Sequence, residues 1–105
     1  MLRIYGVMLE VAREMRPVME SIAKRDAGLA DQMRRALQSV VLNTAEGMGS
    51  RGGNRRVRYH SALGSMREVV ACVDIGAVLG YIDKPSPLVA NRFAHVIGTL
   101  VKLTA

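Results

Sequence analysis

The sequence predicts an all-α fold: an antiparallel four-helix bundle with up-down-up-down topology, formed by residues 1–105 as a single domain. Three observations support this. Apolar residues recur at steps of three and four in four successive segments. The connections between the segments are short, as in bundles whose consecutive helices pack side by side. No segment alternates apolar and polar residues as a half-buried strand does. A chain of 105 residues has room for one core.

The first helix is predicted from an apolar stripe near the N-terminus. The stripe consists of Leu2, Tyr5, Met8, Leu9, Ala12, Met15, Met19 and Ile22. Pro17 lies inside this pattern, where it removes a backbone donor and is expected to kink the helix. The alternative is a break, with Pro17 in the first turn of a new helix. The kink is favoured because Val18, Met19 and Ile22 keep the phase of the stripe.

A short turn over residues 26–28 separates the first helix from the second. The second apolar stripe consists of Leu29, Met33, Leu37, Val40, Val41, Thr44 and Ala45. The glycines at positions 47, 49, 52 and 53 are expected to end this helix by adopting positive φ. Asn54 is then expected to be the N-cap of the third helix.

The third helix is predicted over about residues 55–80. Its stripe consists of Tyr59, Ala62, Leu63, Met66, Val69, Val70, Val73, Ala77 and Val78. From Val69 onward the helix is apolar nearly all round, which predicts burial on two sides, one of them against a neighbouring subunit. Half of all residues are apolar, more than a small monomer easily buries, so we expect oligomerisation.

The fourth helix follows a turn over residues 81–85. Ser86 is predicted to cap it and Pro87 to occupy its first turn, a pairing typical of helix starts. Its apolar face consists of Val89, Phe93, Val96, Ile97, Leu100 and Leu103.

No motif in the chain predicts catalysis, a cofactor or a metal. Gly47-x-Gly49-x-x-Gly52 matches a dinucleotide fingerprint in form, but it follows a helix and no βαβ unit is predicted. Di-iron bundles use Glu-x-x-His pairs, whereas Val57 precedes His60 by three positions and Arg92 precedes His95. No Ser/His/Asp or Cys/His arrangement is evident. We therefore expect a protein that is not an enzyme.

The composition is typical of a cytoplasmic protein. Cys72 lies in an apolar run and is expected to be a buried free thiol in a reducing compartment. Arg3 and Glu10 interrupt the N-terminal apolar residues, so no secretory signal is evident. The apolar run over residues 69–82 is too short to span a bilayer.

Asp74 lies inside this apolar run. A buried carboxylate needs a partner, and an arginine on an adjacent helix or subunit is the natural one. The alternative is that Asp74 faces solvent on a narrow polar strip.

The strongest charge signal lies between Glu46 and Glu68. The chain has a net charge of +6, and this interval contains five arginines and no acid. These arginines are Arg51, Arg55, Arg56, Arg58 and Arg67. Arg55, Arg58 and Tyr59 are spaced to share a helical face beside the glycine-rich loop. Cations at a helix N-terminus oppose its dipole, so a phosphate-binding patch is as well supported as the alternative of a solvated helix start.

Several spaced motifs resemble a known family. They are Leu29-x-x-Gln32-x-Arg34-Arg35-Ala36-x-x-Ser39, Asn43-Thr44-Ala45-Glu46-Gly47-x-Gly49-x-Arg51, Tyr59, Ala62-Leu63-Gly64-Ser65-x-x-Glu68, and Leu79-Gly80-Tyr81-Ile82. Over about residues 29–82 the chain resembles a bacterial four-helix-bundle family first noted as reading frames in intervening sequences of large-subunit ribosomal RNA genes. Two residues depart from the pattern: Val41 replaces a frequent proline, and Thr44 the usual isoleucine.

The resemblance implies a homopentameric ring without established enzymatic activity. It also implies a relation to the accessory variability protein of diversity-generating retroelements, which binds a reverse transcriptase and nucleic acid. Asn43, Glu46 and Gly47 are motif residues of this family, and we interpret Asn43 and Glu46 as polar locks at a helix end.

Together these observations predict a non-enzymatic, ring-forming protein that binds nucleic acid, RNA in preference to DNA. The predicted phosphate contacts are Arg51, Arg55, Arg56 and Arg58, with Arg34 and Arg35 as secondary candidates. Such binding weakens steeply with salt and shows little sequence preference. The alternative is a homo-oligomeric scaffold that presents the same basic edge to an acidic protein partner, without binding nucleic acid.

Overall fold

The computed structural model describes residues 2–105. Over these residues the chain forms four α-helices and no strands. The helices are α1 (Arg3–Ala23), α2 (Ala27–Met48), α3 (Gly52–Val78) and α4 (Pro87–Leu103). Each helix packs against its neighbours in the chain, and α1 also packs against α4, so the four helices close around one core. This confirms the all-α class and the four predicted helices.

Side chains and backbone hydrogen bonds define the helix ends. The Asp26 carboxylate accepts a hydrogen bond from the Leu29 N–H at 2.9 Å and caps α2. Ser86 caps α4 through the Val89 N–H at 3.3 Å, as predicted. Helix α3 ends in a Schellman motif: Gly80 has φ of 78°, and the Tyr81 N–H donates to the Gly76 carbonyl at 2.8 Å.

Helix α1 runs through Pro17 without interruption, so the alternative of a new helix starting there is wrong.

The core lies between the inward-facing apolar stripes of all four helices. Its largest fully buried side chains are Met8, Met15, Ile22, Met33, Met66 and Leu100. The methionines on the α1 stripe therefore act as packing residues.

The boundary between α2 and α3 differs from the prediction. Helix α2 continues through Gly47 to Met48, and among the glycines predicted to end it only Gly52 has a positive φ, at 58°. Arg51, and not Asn54, is the N-cap of α3, and Asn54 lies in its first turn. The glycines suggested a helix end, but Gly47 lies inside α2, where it allows the Tyr59 ring to pack closely.

The stripe predicted for α3 is correct for its first two-thirds and wrong at its C-terminal end. Tyr59, Met66 and Val69 are buried as expected, but Val78 is 85% exposed. Cys72 is buried, as expected for an inert thiol, and Gly76, one turn later, is buried against Ile22 of α1 and Ile82. Three large apolar residues after Val69, namely Ile75, Val78 and Leu79, are thus exposed to solvent.

Candidate nucleic-acid interface

The first turns of α3 form the most exposed helical segment of the molecule. All residues from 51 to 57 are exposed. Arg51, the N-cap, has extended backbone and makes no side-chain capping hydrogen bond. Gly52, the first helical residue, has φ of 58°, a conformation that favours glycine. The uncapped N–H groups and the positive end of the helix dipole therefore face solvent.

Three arginines surround this helix start. Arg51, Arg55 and Arg56 are exposed, and none of them takes part in an ion pair within residues 2–105. The Arg55 Nε–H donates to the Ser50 carbonyl at 2.8 Å. That bond orients the guanidinium and leaves its terminal N–H groups for a ligand. The structure thus brings these three predicted residues together.

Arg58 differs from the other members of the predicted set. Its Nη1 lies 2.9 Å from the Glu46 carboxylate, and the side chains of both residues are about half exposed. The ion pair joins the end of α2 to the second turn of α3. The interval from 46 to 68 lacks an acid in sequence, but folding places Glu46 against the patch. Arg58 is therefore primarily a link between helices.

Tyr59 does not join the exposed face predicted for it with Arg55 and Arg58. It is 3% exposed, because its ring packs on Gly47 of α2. A Cβ at position 47 would lie 2.4 Å from the ring atom Cε1, far inside normal contact distance. Gly47 is thus a close-approach glycine, and Tyr59 is not available to stack on a base.

Arg34 and Arg35 lie away from the α3 patch. Both pair with Asp31: Arg34 through Oδ1, and Arg35 through Oδ2 at 3.2 Å. Arg35 precedes Met48 by thirteen residues, about 20 Å along α2 at about 1.5 Å per residue. Both side chains are exposed. They do not form one surface with the predicted primary contacts.

Asn43 belongs to a polar network between α2 and α3. Its Nδ2 donates to the Ser39 carbonyl and to Ser39 Oγ, each at 3.0 Å. Ser39 Oγ lies 2.7 Å from Ser65 Oγ on α3. The Ser39–Ser65 hydrogen bond was not predicted. Its signal in the sequence was a small polar residue at a helix-facing position in each of two motifs.

Asp74 is exposed and makes no ion pair within residues 2–105. The partner predicted on an adjacent helix of the same chain is therefore not found. Asp74 lines an apolar groove between α3 and α4. The alternative partner, an arginine of another subunit, stays a prediction.

Within the described residues 2–105, no group of three His, Cys, Asp or Glu side chains could hold a metal ion. Over the same residues, no helix has the length and apolar character needed to cross a membrane.

The Cys72 thiol has a perturbed pKa. Burial, and secondarily the Glu68 charge, raises this pKa above its ordinary value of 9.0.

Comparison with known families identifies the chain. Residues 1–98 match the family model described as 23S rRNA-intervening sequence protein. The chain belongs to this family. No curated protein and no solved structure gave a significant match.

Membership in the intervening-sequence family confirms the resemblance and extends it beyond residues 29–82 into α1 and α4. Several of the motif residues that carried the resemblance lie at the contact between α2 and α3. Gln32, Ala36, Ser39, Ser65 and Glu68 line one groove there. This part of the motif therefore belongs to a helix–helix contact.

Proposed function

We propose that this intervening-sequence family protein is a non-enzymatic nucleic-acid-binding protein that prefers RNA to DNA. Its phosphate contacts are the guanidinium groups of Arg51, Arg55 and Arg56, assisted by the exposed N–H groups at the start of α3. The preference for RNA is supported by the family's description, which names a sequence that intervenes in 23S rRNA. The proposed location is the cytoplasm.

One observation carries this proposal: three arginines that form no ion pair with any of residues 2–105 cluster at an uncapped helix N-terminus. Cations destabilise a helix at that end, by about 0.3–1 kcal/mol each when exposed. A bound phosphate removes this conflict, because it attracts both the side chains and the helix dipole. The net charge of +6 extends the attraction over the molecule.

The proposal includes assembly into a homo-oligomeric ring, with a pentamer favoured, and an accessory relation to a reverse transcriptase. The apolar residues that the single chain leaves exposed support assembly. The reverse transcriptase rests on the family resemblance alone.

The proposal is tested by measuring RNA affinity against salt concentration for the triple variant Arg51→Ala/Arg55→Ala/Arg56→Ala. We expect affinity to fall on the order of tenfold or more at moderate salt. The slope of log affinity against log salt is expected to decrease by about 2, since each phosphate contact on a single strand contributes about 0.7.

The matched control is Arg13→Ala/Lys24→Ala/Arg25→Ala, which removes the same charge from α1 and the turn after it. We expect this control to retain nearly all of the slope. Equal losses for the two triple variants would show that net charge, and not the α3 patch, attracts RNA. An unchanged affinity for the first variant would contradict the proposal and favour the acidic protein partner.

A further inference from the structure

Two apolar grooves open on opposite faces of the bundle. One lies between α1 and α2 and is lined by Leu37, Val41 and Leu42. The other lies between α3 and α4, has a volume of about 840 Å³ and is lined by Val78 and Phe93 among others. Because consecutive helices are neighbours around the bundle, the α1–α2 and α3–α4 faces lie back to back.

Both grooves expose large apolar side chains to solvent. Leu42 is 61% exposed in the α1–α2 groove, and Val78 is 85% exposed in the α3–α4 groove. Burying such surface stabilises an assembly by about 25 cal/mol per Å². Contiguous apolar grooves of this kind mark interaction sites on soluble proteins.

The charged residues in the two grooves are complementary. Arg34 borders the α1–α2 groove, and Asp74 borders the α3–α4 groove. Further from the start of α3, Glu20 lies on the α1–α2 face and Lys84 on the α3–α4 face. Arg34 and Glu20 therefore follow the same order along the bundle as Asp74 and Lys84, with opposite signs; the α1–α2 face also carries Arg16 and Asp31.

The two charges nearest the middle also lie at similar heights. Ser39 of α2 hydrogen-bonds with Ser65 of the antiparallel α3. Arg34, five residues before Ser39, is therefore level with Val70, five residues after Ser65. Asp74 lies four residues further, about 6 Å along the axis. Arg34 already pairs with Asp31, but its five N–H donors can serve a second carboxylate.

We propose that the α3–α4 groove of one subunit receives the α1–α2 face of a second copy, with Asp74 paired to Arg34 and Lys84 to Glu20. This contact uses two different surfaces of the same chain and is therefore heterologous, the type that generates closed rings when the rotation closes. The inference rests on the homo-oligomeric assembly proposed above and specifies its interface. It also supplies Asp74 with an ion-pair partner, which residues 2–105 of its own chain do not provide.

The test is the native mass of charge-exchange variants, compared with the 11.4 kDa of the single chain. We expect Asp74→Arg and Arg34→Asp each to reduce the wild-type particle to single chains, because each places two like charges across the interface. The double variant Asp74→Arg/Arg34→Asp restores an opposite pair and is expected to recover the particle.

Arg35→Asp is the matched control. It makes the same charge change on the neighbouring residue and also loses an ion pair to Asp31, but Arg35 borders the α2–α3 groove. We expect its mass to equal that of wild type. A double variant that stays monomeric, or an Asp74→Arg particle of wild-type mass, would overturn the proposed pairing.

A second pair of variants tests the groove without the charge pair. Val78→Glu is expected to dissociate the particle, whereas Val57→Glu, on an exposed position of α3 outside both grooves, is expected to leave it assembled. Equal masses for these two variants would also overturn the inference. A monomeric wild type would refute assembly itself, whereas a wild-type particle insensitive to these changes would refute only the interface. Neither result affects the RNA measurement, because Arg51, Arg55 and Arg56 lie outside both grooves.

Discussion

Helix α3 packs against α2 on one side and α4 on the other, and the two contacts differ in kind. The α2–α3 contact contains a glycine–tyrosine approach, a serine–serine hydrogen bond and an ion pair, and the groove beside it is lined mostly by polar side chains. The α3–α4 contact leaves an open apolar groove. The side chains of α3 that face α2 are thus packed within the chain, whereas apolar side chains on its α4 side stay exposed to solvent. The comparison separates residues that stabilise the subunit from residues left for a partner.

The largest expected effect concerns Cys72, which is buried and lies about two helical turns after Ser65, on the face of α3 that contacts α2. Its thiol should react with an alkylating reagent only when the chain opens, so we expect labelling at least ~10³-fold slower than in urea-unfolded protein. Fast labelling of native protein would show that the α2–α3 contact is open.

The same thiol should make stability depend on pH. Because burial raises the pKa of the Cys72 thiol above 9.0, its contribution to the free energy of unfolding is fully present below pH 9.0. This contribution is lost as pH rises through the folded-state pKa, and urea melts across this range would detect the loss.

Gly47→Ala tests the closest approach in the α2–α3 contact. The new Cβ would overlap the Tyr59 ring, so we expect a loss of about 1–3 kcal/mol in unfolding free energy from overpacking, partly offset by the better helix propensity of alanine. Gly64→Ala is the control, because nothing lies within 4 Å of its Cβ position. It is expected to stabilise the chain by about 0.5–1 kcal/mol. If both changes stabilised it, Gly47 would not be a close-approach glycine.

Ser65→Ala removes the hydrogen bond to Ser39. We expect chemical denaturation to show a loss of about 0.5–1.5 kcal/mol. Ser61→Ala, at an exposed position one turn earlier on the same helix, is expected to have almost no effect. Identical unfolding midpoints for the two variants would assign no stability to the serine pair.

The ion pair between Glu46 and Arg58 should give the smallest effect, because both side chains are about half exposed. A double-mutant cycle with Glu46→Gln and Arg58→Gln is expected to give a coupling energy of about 0.2–1 kcal/mol that decreases with salt. RNA affinity should change less in Arg58→Gln than in Arg56→Gln. The reverse order would return Arg58 to the phosphate-binding set.

The four helices could be predicted from apolar spacing, and the Ser86 cap from its local sequence, since both depend on neighbouring residues. The boundary between α2 and α3 could not be predicted correctly. A glycine required for positive φ and one required for close packing look alike in sequence, and Gly47 is of the second kind.

The basic patch could be predicted only in part. The run of arginines was evident, but the pairing of Arg58 with Glu46 depends on how two antiparallel helices align. The exposure of Val78 had a similar cause. Apolar periodicity shows that a side chain prefers burial, but not whether its own chain or a second copy covers it.

The glycine pair at the start of α3 has a consequence for affinity. Gly52 and Gly53 lose more backbone entropy on ordering than any other residues would, so a helix that begins with them is loosely held at its first turn. A ligand that binds there must order this turn, and the entropy lost in doing so reduces the net free energy of binding. Position 53 has open space around it and no positive φ, so alanine fits there without strain. Stiffening that residue would lower the cost of binding without adding a contact.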